Sequence, residues 1–175
     1  QNQQDDEGRW RDRRDAALRA YFEWMPIRGV PDGADTRIFR RFRYGNLLSL
    51  IMLDTRLYGR DRQPDAGDAA TAEAVSAALQ DPERRMLGRR QEGWLRRTLA
   101  ADAGTTWQLI GQQVMLAPVL APELGPLLDF ERPSMLPREQ LDHYVALSKG
   151  NPPMVLDTWN GYPHAREAFL GDLEE

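Results

Sequence analysis

Three consecutive polar residues, Asp54, Thr55 and Arg56, directly follow the apolar run 47–53. Polar side chains at the carboxyl end of a buried strand often face a ligand crevice, and the planar guanidinium group of arginine suits phosphate or carboxylate recognition. A structural explanation competes with this one, because Asp54 can accept backbone N–H groups in a turn and pair with Arg56. We keep Asp54 and Arg56 as near-site candidates.

A pair of amide residues, Gln112 and Gln113, closes a second apolar run in the same way. Amide side chains at such a position need hydrogen-bond partners, which either a neighbouring backbone or an active-site water and phosphate can supply. Gln113 is therefore the third near-site candidate. We assign no catalytic residue, because the sequence contains no glycine-rich phosphate loop, no His-Glu-x-x-His and no Gly-x-Ser-x-Gly motif.

Candidate metal ligands are few in this sequence. It has no cysteine and two histidines, His143 and His164, so a self-contained zinc or two-metal centre is not expected. Asp142 can orient the ring of His143, but a surface histidine also explains this pair, and we give His164 no role. The acidic run 5–7 can bind a cation, although a solvated acidic segment is the simpler explanation. We predict no metal ligand in the chain.

The composition is that of a globular domain, with 41% hydrophobic and 29% charged residues. The formal net charge of -4 gives no basic field of the kind that nucleic-acid-binding proteins use. No apolar run has the length of a membrane span, and the first residues do not resemble a signal peptide. Lys149 is the only lysine, so almost all of the positive charge comes from arginine.

The near-site candidates need a sheet to position them. Helical spacing of apolar residues predicts an amphipathic helix over 10–25. The runs 37–44 and 47–54, joined by Gly45-Asn46, predict a β-hairpin near the edge of a sheet. The second run is apolar almost throughout, which indicates a strand that is buried on both faces.

The remaining elements are predicted from the same patterns. They are helices over 71–79, 83–101, 137–147 and 164–173 and a strand over 106–116. The segment 117–153 is irregular and rich in proline. This is little regular structure for 175 residues, so we expect a piece of something larger, of the α/β (α+β) class.

Short motifs along the chain, taken in order, resemble the alkaline phosphatase D family (PhoD-like phosphatases). They are Tyr21–Arg28, Phe42–Leu47, Met52–Arg56, Met86–Gly88, Gln91–Leu95, Trp107–Val114 and Trp159–Pro163. Each motif is weak alone, but together they keep the order of the family and cover nearly the whole chain.

The resemblance implies a metallophosphoesterase-type β-sandwich flanked by helices, of which residues 1–175 would be an incomplete, internal part. It implies an exported enzyme, periplasmic or secreted, that hydrolyses phosphate monoesters and diesters with iron and calcium. The reaction would be attack of metal-activated water on phosphorus. The implied partners are the phosphate ester substrate and the missing remainder of the domain.

The motifs with which the family binds its metals, and its Gly-Asp-Val-His-type motif, have no counterpart in this sequence. No metal ligand therefore carries over to this chain, and we expect the isolated 175 residues to be inactive. By a looser analogy, Gln113 stands where related metallophosphatases have a ligand histidine. Asn160 departs from the family pattern, which usually has aspartate there, so a charge-dependent role at this position is not expected.

Two other readings stay open on the sequence alone. The chain can be a non-catalytic, arginine-rich module that binds phosphate or a partner protein, or it can be half of a split enzyme completed by another chain. Nucleic-acid binding is not expected beyond a phosphodiester substrate.

Overall fold

The computed structural model describes residues 8–27, 37–63, 69–128 and 136–174. The chain divides into two compact units, Gln1–Arg62 with Arg85–Gln113 and Glu175, and Gln63–Arg84 with Val114–Glu174. The acidic run 5–7 lies outside the described residues. Helices and a small sheet are both present, as the expected α/β class requires.

A three-stranded sheet, ordered β1-β2-β3, belongs to the first unit. Strand β1 (Arg40–Tyr44) pairs antiparallel with β2 (Leu48–Met52), and β3 (Trp107–Gly111) pairs parallel with β2. The predicted hairpin and its place at the edge of the sheet are therefore confirmed. Strand β3 ends at Gly111, earlier than the predicted residue 116.

The turn of the hairpin is one residue longer than predicted. Tyr44 pairs with Leu48 in the register, and the Leu47 N–H donates to the Tyr44 carbonyl over 3.2 Å. Gly45 begins this turn at a φ of +59°, in the left-handed region that costs glycine little. Leu47 therefore belongs to the turn and not to the strand.

The two faces of β2 differ in burial. Ser49 and Ile51 on one face are fully buried, whereas Leu48, Leu50 and Met52 on the other are partly exposed. Successive side chains of a strand point to opposite faces, and within the described residues only one face of this strand is fully covered. The prediction of a strand buried on both faces is therefore wrong for the part of the chain that the structure describes.

Helix α3 (Gly88–Ala101) begins five residues later than predicted. Gly88 has a φ of +74°, which the interior of a right-handed helix does not allow. The preceding residues form a turn in which Asp81 Oδ1 accepts the Glu83 N–H over 2.8 Å. The expected apolar face of the helix is present, since Leu95 is buried and the Trp94 ring lies 4.8 Å from that of Phe39.

The other helices agree with their predicted bounds to within two residues. They are α1 (Trp10–Trp24) in the first unit and α2 (Ala69–Gln80), α4 (Arg138–Ser148) and α5 (Pro163–Glu174) in the second. No helix in the described parts of the chain is both long and apolar enough to cross a membrane.

The second unit has an aromatic centre. Trp159, in a short 3-10 helix (Trp159–Gly161), stacks on Phe169 of α5 with ring centroids 4.9 Å apart. The guanidinium group of Arg84 lies 4.4 Å from the ring centroid of the fully buried Tyr162. These contacts fix the start of α5.

Candidate functional site

The carboxyl ends of β2 and β3 lie at the same edge of the sheet, because the two strands are parallel. We call this the carboxyl edge. It brings together Thr55 and Gln113, which are 58 positions apart in the sequence: the Thr55 N–H donates to Gln113 Oε1 over 2.8 Å. In open sheets of this kind, ligands bind in the crevice outside the carboxyl ends of the strands. The near-site candidates therefore occupy the edge at which a ligand is expected.

Both ends of the Gln113 amide contact the turn that follows β2. Its Oε1 accepts from the N–H and from the hydroxyl of Thr55, over 2.8 and 2.7 Å, and its Nε2 donates to the Leu53 carbonyl over 2.6 Å. In the sequence analysis, a neighbouring backbone was one of the two possible sources of partners for this amide, and the structure shows such backbone partners. In this geometry Gln113 bridges two main-chain segments.

The carboxylate of Asp54 caps the same turn and is fully buried. Its Oδ1 accepts the N–H groups of Arg56 and Leu57, over 2.9 and 2.8 Å. Its Oδ2 is also buried and accepts no hydrogen bond from the described residues. A buried carboxylate oxygen without a donor is costly, so the Asp54 carboxylate is held in this turn at a cost in free energy.

Arg56 follows with an exposed side chain. Its main-chain N–H is held by Asp54, so the backbone from which the guanidinium group projects is fixed. A planar cation on a fixed turn at this edge can bind a phosphoryl or carboxylate group.

A second glutamine, Gln91 of α3, holds the turn from the other side. Its Oε1 accepts the Asp54 N–H over 2.7 Å, and its Nε2 donates to the carbonyls of Asp54 and Leu87 over 2.8 and 3.2 Å. The side chain is fully buried. Sequence analysis placed Gln91 in the motif Gln91–Leu95 but gave it no role, although it stands four residues before the buried Leu95, where an apolar residue is expected.

A buried carboxylate of a different kind lies at the end of α3. Asp102 accepts from Ser49 Oγ over 2.5 Å and from Arg41 Nη1 over 3.2 Å, and Arg43 Nη1 lies 3.7 Å from its Oδ1. These contacts join β1 and β2 to the end of α3. Because every one of them is made inside the first unit, we assign Asp102 to the scaffold.

The described residues do not fit a metal centre. Among them, no three histidine, cysteine or acidic side chains converge on a point that could hold an ion. Both His143 and His164 are exposed, and Gln113 offers no free amide oxygen. Iron or calcium therefore finds no set of three such side chains in the part of the chain that the structure describes.

Comparison with known proteins decides the family. The family model for PhoD-like phosphatase matches residues 1–175. The chain belongs to the PhoD-like phosphatase family. It is 31% identical over 164 residues to alkaline phosphatase D of Bacillus subtilis (strain 168), an alignment that covers 93% of this chain and 23% of that protein.

A solved structure of a PhoD shows the same fold in this segment. The match has a TM-score of 0.64 at 28% sequence identity and covers 96% of this chain but 28% of the other. Both relatives are thus several times longer than the matched segment, and the chain corresponds to a part of the PhoD structure. The small sheet with its helices is that part.

The structure also shows what the amide of Asn160 does. Asn160 Nδ2 donates to the Val119 carbonyl over 2.9 Å, and the side chain is nearly buried. An aspartate could not donate this hydrogen bond. The amide at this position therefore has a structural use in this member of the family.

Proposed function

We propose that this chain is a segment of an alkaline phosphatase that hydrolyses phosphate monoesters and diesters by metal-activated water. The family match over residues 1–175 carries the proposal. The same proposal includes iron and calcium as the metals of the complete enzyme, and a periplasmic or secreted location. Because the chain spans 23% of its Bacillus relative, these are statements about a longer protein.

The described residues bind none of these metals in our proposal, since they lack a suitable donor set. We therefore derive no step of the reaction through a metal held by this chain. The 175 residues alone are expected to be catalytically inactive, because binding of a phosphoryl group at the carboxyl edge does not by itself activate a water molecule.

The part that we assign to this chain is phosphoryl binding at the carboxyl edge. Arg56 is the group that would contact the phosphoryl oxygens, where a guanidinium group stabilises negative charge that develops during transfer. Asp54 holds the main chain of Arg56, and Gln113 bridges the turn to the end of β3. Asp54 and Gln113 thus act on the substrate only through the backbone.

The rival reading, an arginine-rich binding module, gains no support from the arginine contacts. Several arginines form ion pairs with acidic residues of this chain: Arg14 with Asp15, Arg41 and Arg43 with Asp102, Arg85 with Glu92, and Arg138 with Asp142. Arg41 and Arg43 join β1 to the buried Asp102, whereas the pairs of Arg14 and Arg138 are local and contribute little to stability.

Segment replacement tests the proposed function. The 175-residue sequence is placed in alkaline phosphatase D of Bacillus subtilis, in place of the segment with which it aligns, and this chimera is assayed on an aryl phosphate monoester and diester. We expect turnover by the chimera and none by the 175-residue chain alone under the same metal supply.

Circular dichroism and a cooperative melting curve serve as the folding control for the chimera. A folded chimera that hydrolyses neither ester contradicts the proposal. Turnover by the isolated chain contradicts the expectation that the 175 residues alone are inactive, because turnover would require a complete catalytic centre within these residues.

A further inference from the structure

The chain that follows β2 runs past the ends of the two strands that flank β2. The register pairs Arg40 of β1 with Met52, and the Leu53 N–H donates to the Gly111 carbonyl over 2.8 Å. Beyond these positions the backbone polar groups of residues 53–55 need other partners, because buried peptide groups without hydrogen bonds are costly.

Two side-chain amides supply these partners, one on each side. Peptide groups of alternate residues in a strand face opposite neighbours. Gln113 binds Leu53 and Thr55 on the side of β3, and Gln91 binds both the N–H and the carbonyl of Asp54. Each amide reproduces the donor and acceptor of a neighbouring strand.

Of the two amides, Gln91 is the more rigidly held. Its side chain is fully buried, and a third hydrogen bond joins its Nε2 to the Leu87 carbonyl, one turn earlier. Gln91 thus fixes the distance between α3 and the peptide of Asp54. Since Asp54 Oδ1 holds the N–H groups of Arg56 and Leu57, the position of this peptide sets that of the whole turn.

We propose that Gln91 is a positioning residue: it fixes the turn 54–57 and thereby the direction in which the Arg56 side chain leaves the carboxyl edge. This inference rests on the proposed contact of Arg56 with a phosphoryl group. Gln91 touches no substrate in this account. Its effect is on how well Arg56 is placed to bind phosphate, and misplacement of a binding group by about 1 Å can weaken its action up to about 100-fold.

The test makes the same substitution, glutamine to methionine, at two positions of the 175-residue chain. Gln91→Met removes the amide that holds Asp54. Gln108→Met removes an amide that donates to the Asp102 and Leu99 carbonyls over 3.0 and 3.4 Å, at the far end of α3. Binding of inorganic phosphate is followed by the backbone amide shifts of Arg56 and Leu57 in NMR spectra, and thermal unfolding is measured for each variant.

We expect Gln91→Met to weaken phosphate binding about tenfold and Gln108→Met by less than about twofold, although both lower the melting temperature. An equal loss of affinity in the two variants, or an unchanged affinity in Gln91→Met, overturns the inference. If Gln91→Met does not fold, Gln91→Glu makes the same comparison, because it keeps the acceptor for the Asp54 N–H and loses the donor to the carbonyl.

Arg56→Gln separates this inference from the proposed function. If Arg56→Gln abolishes phosphate binding and Gln91→Met does not affect it, the positioning role fails and the phosphate contact stands. If Arg56→Gln leaves phosphate binding unchanged, or if the unaltered chain binds no phosphate, the contact itself is wrong and the role of Gln91 falls with it.

Discussion

At the scale of single residues, the carboxyl edge depends on side-chain amides that take the place of backbone partners. Gln113 and Gln91 between them satisfy the polar main-chain groups around Asp54. An amide can do this because it carries a donor and an acceptor on one rigid plane, as a peptide does. Glutamine is therefore required at these positions by geometry and not by charge.

Gln113→Ala is expected to lower the free energy of unfolding by about 2 kcal/mol, because it removes the partners of Leu53 and Thr55. Urea denaturation of the 175-residue chain measures the change. The matched control is Gln80→Ala on an exposed helix position, which should change stability by less than about 0.5 kcal/mol. Equal stability of the two variants would show that the Gln113 contacts contribute nothing.

We expect Asn160→Asp to destabilise this chain by about 1–3 kcal/mol. The carboxylate cannot donate to the Val119 carbonyl and would face it at close range. Thermal unfolding at neutral pH measures the effect, with Asn46→Asp at an exposed position of the hairpin turn as the control. An Asn160→Asp variant as stable as the unaltered chain would contradict the structural role of this amide.

At the scale of elements, the start of α3 places Gln91 under the turn. Gly88 and Gly59 approach each other backbone to backbone, and both have positive φ, at +74° and +71°. A Cβ on Gly88 would lie 2.7 Å from the Gly59 Cα, closer than real contacts allow. The helix can begin at this point only with glycine there.

Gly88→Ala is therefore expected to destabilise the chain by more than about 1 kcal/mol, through both strain and steric overlap. Gly93→Ala in the same helix is the control and should stabilise by about 0.5–1 kcal/mol, because its Cβ would meet only the end of the Arg97 side chain at 3.4 Å. Urea denaturation of both variants gives the comparison. Shifts of the same sign would contradict this account of the helix start.

The sequence was sufficient for elements whose own residues determine them. Apolar periodicity located α1, α2, α4 and α5 to within two residues, and the turn residues located the hairpin. The start of α3 was misplaced because the contact of Gly88 with Gly59 involves residues 29 positions apart. The length of β3 was overestimated because apolar residues resume at 114–116, after Gln112 and Gln113, whereas pairing with β2 ends at Gly111.

The candidate site residues stay a prediction, although the structure brings some of them together. Polar residues that follow apolar runs led to Asp54, Arg56 and Gln113, and Gln113 contacts Thr55 in the turn that Asp54 begins. Gln91 was missed because its partner is the main chain of a residue 37 positions away. Such a contact has no local pattern in the sequence except a polar residue on an apolar helix face.

At the scale of the whole molecule, one face of the sheet exposes large apolar side chains. Tyr44, Trp107 and Leu109 are 57%, 61% and 50% exposed, and the register aligns them with Leu48 and Leu50 of β2. Contiguous apolar surface of this kind is unusual on a stable monomer. We expect the isolated chain to bind apolar dyes through this face.

Fluorescence of 1-anilinonaphthalene-8-sulfonate tests this expectation. The double variant Trp107→Gln with Leu109→Gln should lower the dye signal of the 175-residue chain by about half or more. The matched double variant Leu120→Gln with Leu127→Gln, at exposed positions in the second unit, should leave it nearly unchanged. A signal that falls equally in both double variants would show that the dye does not bind specifically to this face of the sheet.

We propose, above all, that the carboxyl edge supplies a phosphoryl contact to a PhoD-like phosphatase. The most direct measurement is kcat/KM for an aryl phosphate monoester in the Bacillus chimera that carries Arg56→Gln, with Arg19→Gln on the exposed side of α1 as the control. We predict a loss of about 100-fold for Arg56→Gln and less than about twofold for Arg19→Gln. A folded Arg56→Gln chimera whose kcat/KM matches that of the Arg19→Gln control would contradict the claim.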